Sequence, residues 1–151
     1  MRVAGSLWSV PVDQRSSRLA AAAGLTAAHW DATDGQFAAA GGFTADAAAE
    51  LQAGCPELSA EAHLMMRDPR AVVPSWAEFC SLIVVHLEAE QARAAVAAVA
   101  ATRAQPGLAV SLHTRLSLVP ADFPVLLMSI APGQAGSAFD SSVLARVSQL
   151  R

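Results

Sequence analysis

Ala28-His29-Trp30-Asp31-Ala32-Thr33-Asp34-Gly35 is the stretch on which the reading of this 151-residue chain turns. It sets an imidazole and a carboxylate two residues apart in a sequence that is 54% apolar and only 15% charged, so polar side chains are scarce. On a β-strand, positions i and i+2 project from one face. His29 and Asp31 would then aim at one spot while Trp30 points away. A neutral imidazole beside a carboxylate is the start of a divalent-cation site. Asp34-Gly35 reads as the turn that ends the strand. The plainer reading is a strand end with two polar residues at its mouth.

Working outward, short apolar runs alternate with longer alanine-rich, helix-prone stretches. Strands are predicted at Val3 to Leu7, Thr26 to Ala32, Ala60 to Met65, Ser81 to Leu87, Leu108 to Leu112 and Val125 to Ile130. Helices are predicted at Val12 to Ala23, from Thr44 and Asp46 to about Ala53, Ala71 to Phe79, Glu90 to Arg103 and Ser141 to Leu150. A turn or short helix falls near Leu116 to Val119. Pro106-Gly107 reads as a turn into the fifth strand, and Pro132-Gly133 with Gly136 as a glycine-containing loop after the sixth.

Strands that recur with a helix between them are the signature of βα units and a parallel sheet. Right-handed crossovers would bring all the strand C-termini to one face. Ser6, His29, Asp31, His63, His86 and Glu88 fall there. Six units fit a doubly wound sheet and also three-quarters of a (β/α)8 barrel, whose catalytic groups sit at that same end. The periodicity alone does not choose between them.

Composition narrows the function classes. The length suits one domain with a real core. No apolar run reaches the roughly 18 residues of a membrane span, and the N-terminal run is broken by Gly5, Ser6, Ser9 and Pro11. The expectation is a soluble, cytoplasmic protein with no membrane partner. Net charge is −3, and every basic residue is an arginine, so Schiff-base chemistry through lysine is excluded. The arginines form no basic stripe, which argues against a nucleic-acid partner. Cys55 and Cys80 stand apart, without a C-x-x-C pair, and read as reduced thiols. His86 and Glu88 read as loop-anchoring or supporting groups, His113 as a loop residue, and Met66 and the tryptophans as packing or surface residues.

Several segments together resemble a known family. His29-Trp30-Asp31-Ala32-Thr33-Asp34-Gly35-Gln36-Phe37 resembles the H-x-D-x-M-D-G-x-F segment of ribulose-phosphate 3-epimerases. Ala62-His63-Leu64-Met65 resembles their third-strand V-H-L-M, and Val85-His86-Leu87-Glu88-Ala89 their fourth-strand H-x-E-A. Met128-Ser129-Ile130-Ala131-Pro132-Gly133-Gln134-Ala135-Gly136-Ser137-Ala138-Phe139 resembles their sixth-strand M-S-V-x-P-G-F-G-G-Q-x-F. Gly5-Ser6-Leu7 sits where the family has P-S-I-L. The order and spacing match over nearly the whole chain.

The resemblance implies an α/β fold of the (β/α)8 TIM-barrel type, with only about six βα units present and hence an incomplete barrel over residues 1–151. It implies an isomerase of carbohydrate metabolism, in the pentose phosphate pathway, that interconverts D-ribulose 5-phosphate and D-xylulose 5-phosphate through an enediolate. A divalent metal ion (zinc, iron(II) or manganese) would polarise the ketone, while a carboxylate removes the C3 proton and an acid on the other face returns one. Carried over by position, His29, Asp31 and His63 would be metal ligands, with Asp31 also the catalytic proton-transferring carboxylate. Ser6, Met65, Met128, Gly133 and Gly136 would line the substrate, the methionines as a polarizable apolar cover. The implied partner is a phosphorylated ketose.

Departures from the pattern define the alternatives. The family's fourth ligand and second proton-transfer group is an aspartate on a seventh strand, and this sequence carries no such strand before Arg151. Thr33 replaces a methionine, and Gln134, Ala135 and Ser137 replace the F-G-x-Q of the glycine loop. An incomplete barrel predicts either self-association across its edge strands, giving a homo-oligomer, or a longer protein. The alternative functions are a catalytically impaired remnant that binds a ligand or partner protein, and an epimerase of a related ketose phosphate such as allulose 6-phosphate. The related decarboxylases need a D-x-K-x-x-D motif that a lysine-free chain cannot supply.

Overall fold

The computed structural model describes residues 3–150. Six strands form one sheet: β1 (Ala4–Ser6), β2 (Ala27–Thr33), β3 (Ser59–Met65), β4 (Leu82–His86), β5 (Gln105–Val110) and β6 (Val125–Leu127). Every neighbouring pair is parallel, and the strand order in space is the order in sequence. A doubly wound sheet would reverse direction at a switch point. This one never does, and it curls into a half-barrel. The helices α1 (Arg15–Ala20), α2 (Ala45–Ala53), α3 (Val73–Ala77), α4 (Ala92–Ala100) and α5 (Ser142–Gln149) fall between and after the strands. None of them is long and apolar enough to cross a membrane.

Strand alternation separates two faces. Ala28, Trp30, Ala32, Ala60, Ala62, Leu64, Ile83, Val85 and Leu108 face the helices and join Leu19, Ala48, Val73, Trp76, Ala95 and Val99 in the core. Alanine at so many sheet positions lets the helices sit close, and Trp30 and Trp76 fill the remaining volume. The Trp30 indole donates to Gln52 Oε1 at 3.1 Å. The Gln52 amide in turn donates to the Cys55 and Leu58 carbonyls, so this buried polar pair is satisfied. Cys55 and Cys80 are buried and unbridged, and burial together with the nearby Glu61 charge pushes the Cys80 thiol up to about 12.

The opposite face lines the barrel interior, and the register stacks it in layers. Ser6, His29, Glu61, Leu82 and Gln105 share one level. Asp31, His63, Val84 and Gly107 share the next. His86, Ala109 and Leu126 share a third.

Three expected boundaries are corrected. Pro106-Gly107 is not a turn but part of β5, which begins at Gln105. The amides of Gln105 and Leu108 bond to opposite neighbours, Ser81 and Pro124, so the missing N–H of Pro106 points to the β6 side, below the level where β6 begins. A proline costs no ladder bond there. Strand β6 stops at Leu127 rather than Ile130, because its neighbour β5 ends at Val110, which accepts the Met128 amide. The first helix is broken into a 3-10 turn at Val12–Gln14 and a shorter α1.

Candidate metal centre

His29 and Asp31 leave β2 on one face, and His63 stands beside Asp31 in the register on β3. One ligand atom from each of the three lies within 4.8 Å of the others. Asp31 Oδ1 is 3.3 Å from His29 Nε2 and 3.0 Å from His63 Nδ1. The second oxygen, Oδ2, accepts the Ser6 hydroxyl at 2.6 Å. The carboxylate is thus divided: one oxygen stands between two imidazoles, the other faces a hydroxyl.

Further polar groups extend this cluster in both directions. His29 Nδ1 meets Glu61 Oε1 at 2.7 Å. On the other side His63 Nε2 meets His86 Nε2 at 2.9 Å, and His86 Nδ1 meets Glu88 Oε2 at 3.0 Å. Glu88 Oε1 accepts the Ser111 amide at 2.9 Å and a short bond from the Thr114 hydroxyl. The chain Glu61–His29–Asp31–His63–His86–Glu88 therefore runs unbroken across β2, β3 and β4. His86 touches His63, and Glu88 ties the loop after β5, which are the contacts that a supporting or loop-anchoring role would use. Glu61 was not singled out in the sequence, although Glu61-x-His63-x-Met65 places it on the same strand face as His63.

Electrostatics follow from this packing. Burial disfavours a charged His29 ring, but hydrogen bonds to Asp31 and Glu61 outweigh it and push its pKa up to about 9. Burial likewise works against an ionised Asp31, yet the two imidazoles hold its carboxyl well below the usual carboxylate range. His63, 2% exposed, is pushed down by burial. Burial opposes ionisation of Glu88, and bonds from His86, Thr114 and Ser111 overcome it, bringing its pKa to about 2. Perturbed titrating groups gathered in a cleft are a mark of a functional site.

The cluster opens into a cavity of about 350 Å3. Ser6, Met65, Met128, Gly133 and Gly136 all line it, as do Trp8 and Gln134. Trp8, expected only to pack or to sit on the surface, is part of this wall and abuts Gly41. Gly133 and Gly136 both have positive φ, at 78° and 87°, and a β-carbon on Gly133 would come within 2.9 Å of the Ala38 methyl. The loop after β6 therefore lies directly on the loop after β2. Gly42 (φ 79°) holds the latter loop in place. A β-carbon there would run into the Asp31 carbonyl, which accepts the Phe43 amide at 2.8 Å. His113 is exposed on the loop after β5, as expected.

A half-barrel of parallel βα units with imidazoles and a carboxylate at its strand C-termini belongs to the (β/α)-barrel class, whose functional side chains occupy that end. Within that class, the model of the Ribulose-phosphate 3 epimerase family matches residues 2–151. The chain belongs to this family of carbohydrate epimerases. No curated protein matches it significantly.

Proposed function

We propose that this chain is a metal-dependent sugar-phosphate 3-epimerase that interconverts D-ribulose 5-phosphate and D-xylulose 5-phosphate, with His29, Asp31 and His63 as the metal ligands. The observation that carries the reading is the convergence of two imidazoles and one carboxylate on a single cavity wall. The donor set fits a divalent cation. Glu61 can only accept, so a hydrogen sits on His29 Nδ1, and Nε2 is left to face Asp31 Oδ1. That contact is satisfied by a second proton or by a cation. Mixed nitrogen and oxygen ligands suit zinc, iron(II) or manganese.

A bound cation would supply Lewis-acid stabilisation of the negative charge that develops on the sugar oxygens. The chain's own residues do the rest. Asp31 Oδ2, free of both imidazoles, would take the C3 proton, a role that the hydrogen bond it accepts from the Ser6 hydroxyl supports by fixing its orientation. Met65 and Met128 present apolar surface to the reacting carbons and limit water. Gly133 and Gly136 let the backbone of their loop approach the substrate closely.

The test is an epimerisation assay on ribulose 5-phosphate with added zinc, iron(II) or manganese. Turnover that Asp31→Asn abolishes supports the reading; a metal-loaded, folded chain with no turnover contradicts it. One observation favours a second reading. Among the described residues, Asp31 is the one carboxylate lining the cavity, and the facing wall of residues 126–136 adds none. A protein with one proton-transferring carboxylate would wash solvent deuterium into C3 without forming xylulose 5-phosphate, and deuterium oxide assays separate the two.

A further inference from the structure

His63 and His86 form a buried pair whose hydrogens can be counted. At 2.9 Å, His63 Nε2 and His86 Nε2 need one hydrogen between them. The two outer nitrogens each face a carboxylate at 3.0 Å: His63 Nδ1 faces Asp31 Oδ1, and His86 Nδ1 faces Glu88 Oε2. Ionised carboxylates only accept. Both rings are buried, at 2% and 0% exposed, which disfavours a charge on either; uncharged, they carry two ring hydrogens, and one is spent between the rings. A single hydrogen therefore remains for two carboxylate-facing nitrogens, and one of them must turn a bare lone pair toward an anion.

Position decides which. The His86 ring has no exposed surface, and the Phe37 ring covers it with centroids 4.6 Å apart. The Asp31 end lines the open cavity. Only there is a cation able to stand in for the missing hydrogen.

We infer that His86 and Glu88 are positioning residues for the metal centre: Glu88 keeps the hydrogen on His86 Nδ1, His86 Nε2 accepts from His63 Nε2, and His63 Nδ1 is thereby reserved as a metal-binding lone pair. This inference rests on the metal-centre reading above. It gives Glu88 a task beyond anchoring the loop after β5. Its Oε1 is committed as an acceptor to the Ser111 amide and the Thr114 hydroxyl. In Glu88→Gln the amide oxygen must stay on that side, so the NH2 is forced toward His86 Nδ1. Each ring then reverses: His86 donates from Nε2, and the hydrogen of His63 moves to Nδ1, where it blocks the ligand atom.

The experiment is a zinc titration of wild-type protein, Glu88→Gln, His86→Gln and His86→Leu, with long-range proton–nitrogen NMR of the zinc-loaded, histidine-labelled wild type. Zinc affinity is expected to fall about 10- to 100-fold in Glu88→Gln and His86→Leu, the range usual for groups that orient metal ligands. His86→Gln, whose amide can accept from His63 and donate to Glu88, should retain affinity to within a few-fold. The spectrum should show His63 protonated at Nε2 and His86 at Nδ1. Zinc-loaded wild type with His63 protonated at Nδ1, or Glu88→Gln binding as tightly as wild type, would overturn the inference alone. A wild-type chain that takes up no zinc would remove the metal centre itself, and this proposal with it.

Discussion

Two walls face each other across the cavity, and they are built on opposite principles. The wall from β1 to β3 is polar and connected: His63, with His86 behind it, is buried, His29, Asp31 and Glu61 are partly so, and every imidazole and carboxylate from Glu61 to Glu88 is held by a neighbour. The wall contributed by β6 and its following loop is apolar and half-buried: Leu126, Leu127, Met128, Ile130 and two glycines with positive φ. Beyond it, α5 buries Val143 but leaves Leu144 61% exposed, and Phe139 is 61% exposed beside it. The lesson is a division of labour. The titratable groups sit where packing fixes their rotamers, while shape and apolar cover come from a part of the chain with fewer constraints.

That contrast is broken hardest at Asp31. Replacing it with asparagine should remove zinc binding and lower turnover by at least about 10^3-fold, within the range of losing a positioned proton-transfer group together with its metal; titration and single-turnover assays read both. Behind the same wall, Trp30→Ala should cost roughly 3–5 kcal/mol of stability, because the side chain is fully buried and edge-on to Phe43. Chemical denaturation measures it.

On the apolar wall the effect should be smaller and of another kind. Gly133→Val strains a backbone at φ 78° and pushes on Ala38, for a penalty of about 1–3 kcal/mol. It should raise KM about tenfold and leave zinc affinity unchanged. If zinc affinity fell as well, the two walls would not be independent.

A pH series sharpens the contrast further. In metal-free protein the His29 pKa rises from 6.5 to about 9. A raised pKa means that the folded state holds the proton more tightly than the unfolded chain. The stabilisation is complete below pH 6.5 and is lost as pH climbs through about 9. Zinc competes for that same nitrogen, so zinc affinity should rise over the window in which the metal-free melting temperature falls. The smallest effect belongs to α5, where Leu144→Ser should change stability by less than about 0.5 kcal/mol and leave the metal centre untouched.

Much of this was legible before any coordinates, for identifiable reasons. Strand alternation put His29 and Asp31 on one face and the βα rhythm put His63 at a neighbouring strand end, while joining the three as one ligand set came from the family resemblance. The choice between a wound sheet and a curled one was not in the periodicity. It lies in spatial strand order, which local patterning does not encode. Pro106-Gly107 misled because that dipeptide usually punctuates, whereas here the proline's missing donor falls where no neighbour needs it. Glu61 escaped notice because its partner, His29, is 32 positions away. The His63–His86 contact joins two strands, and only the register of β3 and β4 reveals it.

The most direct test is crystallographic: crystals soaked in a zinc or cobalt salt, with anomalous scattering recorded at the metal edge. One strong peak enclosed by His29 Nε2, His63 Nδ1 and Asp31 is the predicted result. An anomalous map with no peak at that point, or with metal held only by other side chains, would contradict the account.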